Sequence, residues 1–250
     1  MSKAVGFAPR VIFVAMIAVV MALFNNANLR AQVDELEVRE GTGIPGEVRN
    51  MYRKGADYLA KTQNDDGSWG KGGGGHGDET AGTAALATMA FLSTGEDPNF
   101  GKYARNVRAA LRFIIRKQND KTGYIPGNMY VHGFAMLALS EAFGVVDEDM
   151  LWEGERKKDR KIGEALELAV KLAVSSQKKN PSKAWRYSPN AKDADTSIAG
   201  AVLMGLLAAR NAGVDVPDSA IDGALKYMKQ LTSSKTVSYT HLTLPTIYSV

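Results

Sequence analysis

Two patterns of apolar residues alternate along this chain, both with helical spacing. In the first, apolar positions keep to one stripe: Met51, Gly55, Tyr58 and Leu59; Val107, Leu111 and Ile114; Ile162, Leu166, Ala169 and Leu172. Charged residues fill the opposite face, as on a helix with one side in water. In the second, the stretches Ala81 to Leu92, Gly133 to Phe143 and Ile198 to Ala209 are apolar or small nearly all round. A helix without a polar face must be covered on most sides. The spacing predicts outer helices near 47–62, 103–117, 161–176 and 219–231, and inner helices near 79–93, 130–143 and 196–211. The expected fold class is therefore all-α, in two layers.

Each of the first three outer helices ends on a glutamine, followed by a polar turn and an aromatic residue. Gln63 leads to Trp69, Gln118 to Tyr124, and Gln177 to Trp185 after a longer turn. The glutamines are 55 and 59 residues apart, and such a period is the signature of a repeat architecture. The chemistry of the turn explains the choice. A helix end leaves carbonyls without intrahelical partners, and a Gln amide can donate to them. Gly67 and Gly123 suit left-handed turn positions, and the aromatic rings offer a plate against the next helix pair. Stacked pairs of this size bury a continuous core between neighbours. Gly82, Gly133 and Gly200 recur in the inner helices. Because glycine costs about 1 kcal/mol there relative to alanine, they predict close helix approach.

The ends of the chain differ from its middle. Residues 1–31 carry Lys3, Arg10 and Arg30, no acid, and an apolar run from Val11 to Phe24, with Ala31 before Gln32. This reads as an export signal, cleaved or retained as an anchor; the protein is expected to be periplasmic or secreted. Of the 31 basic residues three lie there, which leaves 28 against 27 acids. A near-neutral remainder without a Lys/Arg block argues against nucleic-acid binding. Residues 32–46 are a polar, Gly- and Pro-containing linker. Residues 236–250 are uncharged and Thr-rich, break the helical pattern, and read as a non-native-looking or disordered tail. The helical domain occupies residues 47–235 and stops abruptly, as in a fragment. Cysteine is absent, so no disulfide staples an exported chain.

The glutamine–aromatic turns resemble the repeat of the terpenoid cyclase and protein prenyltransferase superfamily (the prenyltransferase and squalene oxidase-type repeat), over roughly residues 48–231. The resemblance implies an α/α toroid, here an incomplete arc of three antiparallel helix pairs and one further outer helix. It also implies that inner-helix N-termini face a central cavity. The candidates there are His76, Asp78 and Glu79; Tyr130 and His132; and Asp193 and Asp195. The last pair resembles the Asp-x-Asp-Asp motif of squalene–hopene-type cyclases, which would make Asp195 the acid that protonates an alkene and Asp193 its support, although Thr196 replaces the final Asp. Without cysteine, neither the zinc-thiolate chemistry of the prenyltransferases nor a thioester is open to this chain.

A plainer reading stands beside each candidate. Asp195 and Asp78 are good N-cap residues, and acids at a helix N-terminus complement its dipole. His132 on an apolar helix suits a satisfied core histidine. His76, Asp78 and His132 are zinc-type ligands, but they come from separate repeats without a close-spaced pair, so no metal or cofactor is expected. Two functions remain open: a non-catalytic binding or scaffold module that takes a hydrophobic ligand or a protein partner in its groove, and a cyclase-like isomerase or lyase acting on an isoprenoid through Asp195. Contact with a membrane is expected only through an uncleaved N-terminal segment.

Overall fold

The computed structural model describes residues 44–70, 80–155 and 159–231. The segment read as an export signal, most of the expected linker, the expected tail, and the candidates His76, Asp78 and Glu79 lie outside the described residues. The chain is all-α: eight helices and no strand occur among the described residues. They are α1 (Gly46–Thr62), α2 (Thr80–Leu92), α3 (Ala104–Lys117), α4 (Met129–Ala142), α5 (Glu148–Leu151), α6 (Ile162–Lys179), α7 (Thr196–Asn211) and α8 (Asp218–Leu231). None is long and apolar enough to cross a membrane. Two compact units, Met1–Asn50 and Met51–Val250, divide the chain. Of the first, the described residues are the opening of α1 and its approach, where the Arg49 backbone N–H donates to Pro45 O at 3.1 Å. The second holds the rest of α1 and helices α2 to α8.

The all-apolar helices form one row, in which α2 packs on α4 and α4 on α7. The amphipathic helices α3, α6 and α8 neighbour one another and pair with the row: α3 with α2, α6 with α4 and α7, α8 with α7. Glycine sets the closest approaches within the row. A Cβ on Gly133 would lie 2.8 Å from the Ala201 carbonyl carbon, and one on Gly82 would lie 3.1 Å from a Val131 methyl. Gly200 departs from this pattern. Its nearest outside atom is Met228 Cε at 3.9 Å, so its face is open.

The stripe expected on α1 is only partly buried. Met51 and Tyr58 are 74% and 67% exposed; of the stripe Leu59 packs partly buried against the core, beside the buried Ala56. Polar bonds add to this apolar contact. Tyr52 donates from its hydroxyl to Ala90 O, and Asp57 accepts from the Tyr103 hydroxyl at 2.7 Å. In α3 and α6 the expected stripes are buried at Val107, Leu111, Ile114, Ile162, Leu166 and Ala169, with Leu172 partly so. Helix α5 has no counterpart among the sequence expectations. One turn long, it is capped by the Asp147 carboxylate, which accepts from Asp149 and Met150 N–H.

The three glutamines make the same two bonds. Each Nε2 donates to the carbonyl of its own turn and to a carbonyl in the first turn of the next amphipathic helix. Gln63 reaches Gly67 O and Asn106 O, Gln118 reaches Gly123 O and Ala165 O, and Gln177 reaches Lys183 O and Ala220 O, all within 2.7–3.1 Å. The tryptophans repeat a second bond. Trp69 Nε1 donates to Leu59 O and Trp185 Nε1 to Ala173 O, each four residues before the glutamine. Tyr124 has no indole N–H to offer, and it stacks on His132 instead, with centroids 5.8 Å apart.

One exchange between the turns has a steric cause. Gly67 and Gly123 have φ of 92° and 77°, and a Cβ on either would lie 2.1–2.2 Å from a carbonyl oxygen of the facing helix. The third turn has Lys183 at the equivalent place, with φ 53°. Its side chain fits because the facing helix carries Gly223, whose hypothetical Cβ would lie 3.3 Å from Lys183 Cβ. The glycine has moved across the contact. Gln177→Ala leaves two carbonyls without their donor and is expected to cost about 2–4 kcal/mol. Lys183→Gly relieves a left-handed residue and is expected to cost nothing. Urea denaturation of both variants checks the pair, and equal losses would contradict it.

Candidate functional site

The two carboxylates of the Asp193–Asp195 motif do not act as a pair. Asp195 is the N-cap of α7: its Oδ1 accepts from Ser197 N–H at 2.9 Å, Ile198 N–H at 3.2 Å and the Ser197 hydroxyl at 2.5 Å. The Ser197 hydroxyl, then those backbone N–H groups, hold the Asp195 carboxyl below the usual carboxylate range, against the opposing effect of partial burial. A general acid for alkene protonation needs the reverse, a proton held ready for transfer. Asp193 is exposed and turned to Arg186, whose Nε lies 3.3 Å from Oδ2. Its main-chain carbonyl accepts from Asn180 Nδ2, which also holds Ala191 O. Asn180 is itself buried and pins the whole loop before α7.

His132 is not groove-lining. It is fully buried between α4 and α6, with both ring nitrogens occupied. Ile125 N–H donates to Nδ1 at 3.2 Å, and Nε2 sits 3.1 Å from Ala169 O. A backbone N–H can only donate and a carbonyl can only accept, so the ring is the neutral Nε2–H tautomer. Burial pushes its pKa down to about 4, only partly countered by the Ala169 carbonyl. A ring so engaged has no nitrogen left for a ligand. Its sequence signal, a lone His in an apolar helix, is that of a core bridge.

Tyr130 does face an opening. It is 41% exposed and meets Phe134 edge to face, with centroids 4.8 Å apart. Together with Gly200, Met204, Leu207 and Met228 these two rings line a cavity of about 340 Å³ on α4, α7 and α8. Among the described residues, the polar side chains on its wall besides Tyr130 are Thr196 and Ser197. Gly200 was legible as a small residue, but the sequence holds no sign that its face is open, because Gly82 and Gly133 spell alike and are covered. Met204, Leu207 and Met228 were missed as site residues for a similar reason: an apolar residue of an all-apolar helix carries no mark of which face is left bare. Of the candidates, then, the structure brings Tyr130 to the cavity, sets Asp195 at the helix end beside it, and takes His132 and Asp193 elsewhere.

Comparison with family models, with curated proteins and with solved structures returns no match.

Burial of the histidine makes stability depend on pH. Unfolded, His132 protonates near 6.5; folded, only near 4. Between those values the unfolded chain binds more protons, so stability from the neutral ring is complete above pH 6.5 and is lost as pH falls toward 4. The loss should reach about 3 kcal/mol. Urea titrations of the wild type and of His132→Gln across that window check it: the wild type should decline more steeply, and parallel curves would contradict the assignment.

Proposed function

We propose that this chain is a non-catalytic binding or scaffold module of α/α-toroid type, in which the inner row α2–α4–α7 presents its open face to an apolar ligand or an apolar helix of a partner. The observation that carries the reading is the cavity at Gly200: an apolar wall beside a carboxylate held as an anion. Its size falls within the range of small-molecule sites, about 300–1,000 Å³. The glutamine amides bond at the turns, away from this face, whose wall is mostly apolar. The toroid itself is part of the proposal. It is supported by the recurrence of the glutamine turns and by the order of the inner row, and it accords with the resemblance to the cyclase and prenyltransferase repeat. The proposal includes export, which rests on the basic start and the apolar run Val11 to Phe24.

A cyclase reading has no specific observation in its favour, because the candidate acid is bonded in its ionised form. Asp195→Asn should change stability by less than about 1 kcal/mol, since Asn caps as well as Asp. Incubated with linear isoprenoids, neither the wild type nor Asp195→Asn should yield a cyclised product. An anilinonaphthalene sulfonate dye should bind the wild type saturably and Met204→Asp several-fold more weakly. A product formed by the wild type and lost in Asp195→Asn would overturn the proposal.

A further inference from the structure

The chain has no cysteine, so its oxidisable sulfurs are methionine thioethers, and exposure sorts them. Met129 and Met136 are fully buried, and Met89, Met150 and Met228 are half-buried. Among the described residues, the exposed ones are Met51, at 74%, and Met204, at 47%. A thioether in a packed core is shielded from dissolved oxidants, whereas an exposed one meets them. Met51 stands on α1, outside the inner row. Met204 stands on the wall of the cavity at Gly200.

Its place on α7 decides what a change there would do. Met204 lies four residues after Gly200 and three before Leu207, so the three share one face of the helix, and all line the cavity. Gly200 has no side chain, and a Cβ built there would find its nearest outside atom at 3.9 Å. A ligand that settles on this bare stretch therefore lies along the Met204 side chain. Met204 thus combines exposure to an oxidant with a central position on the apolar wall.

We propose that Met204 is an oxidation site that switches the cavity: its thioether takes an oxygen atom from a peroxide, and the sulfoxide releases the apolar ligand. The inference rests on the binding function proposed above. The sulfur lone pair attacks one peroxide oxygen, the O–O bond breaks, an S–O bond forms, and a proton relayed by water leaves the second oxygen as water. Sulfur loses two electrons and the peroxide gains them. The product is a polar, chiral group in place of a flexible apolar one. Covering it with an apolar ligand strips water from its oxygen, a cost that the thioether does not carry. A methionine sulfoxide reductase reverses the change, with a dithiol as reductant that leaves as a disulfide while the oxygen leaves as water.

The test uses the intact protein and the anilinonaphthalene sulfonate dye. Hydrogen peroxide should convert Met51 and Met204 to sulfoxides before the buried methionines, as read by peptide mass spectrometry. Dye affinity should then fall at least about fivefold, with helical circular dichroism unchanged. Met51→Leu should lose affinity on oxidation as the wild type does. Met204→Leu, compared with itself before and after the same treatment, should lose none, and methionine sulfoxide reductase should restore the wild type. Three results would overturn the switch and leave the binding function standing: Met204 unoxidised where Met51 reacts, full conversion at Met204 without loss of affinity, or an equal loss in Met204→Leu. Loss of helix together with affinity would also overturn it, because unfolding then explains the release. If the untreated protein binds no dye saturably, the binding function itself fails and the switch falls with it.

Discussion

One side-chain amide ties each amphipathic helix to the next. Its oxygen and nitrogen sit at the end of a helix whose last carbonyls need partners, and its two N–H groups reach in two directions, to the turn and to the following helix. Because buried polar groups are costly unless bonded, such an amide fixes both the conformation of the turn and the distance to the neighbour. The rest of the layout accommodates that joint. A glycine must stand on one side of the contact, whether in the turn or in the facing helix, and an aromatic ring closes the far side. Among the described residues no buried side-chain nitrogen or oxygen lacks a partner, which is what joints of this kind achieve.

With polar satisfaction met at the turns, the inner helices are free to be apolar all round and to approach as closely as glycine allows. Beside Gly200 an apolar cavity remains. The function we propose rests on this division of labour: polar bonds hold the outer layer, and the inner layer is left with a surface suited to binding. Asp195 belongs to the first task. Its oxygen caps a helix end in the same way that Asn128 caps α4, accepting from a backbone N–H of the first turn.

Much of the fold was legible because it rests on local rules. Stripe against all-apolar composition separates α2, α4 and α7 from the outer helices, and Gln, Gly and Trp mark the turns. What was not legible depends on contacts between distant segments. The stripe of α1 misleads in part, because Met51 and Tyr58 stay exposed while Ala56 and Leu59 meet the core and Tyr52 and Asp57 bond to distant residues. Lys183 in a left-handed turn can be understood only with Gly223 opposite it. Helix α5 is too short for any period, and its capping aspartate is one acid among many. The site was less legible than the fold. His132 and Asp195 are the right residue types for chemistry, yet both are consumed by backbone bonds, while the cavity is built from residues that spell like core.

Amide exchange of the glutamine side chains measures the central joint directly. By nuclear magnetic resonance at neutral pH, the Nε2 protons of the buried Gln118 and Gln177 should be protected far beyond those of the exposed Gln230, with the half-buried Gln63 between them. Protection of Gln177 should fall in Lys183→Pro, which cannot adopt a positive φ. If all four exchange at the solvent rate, the glutamines do not hold the helices together, and the account built on them fails.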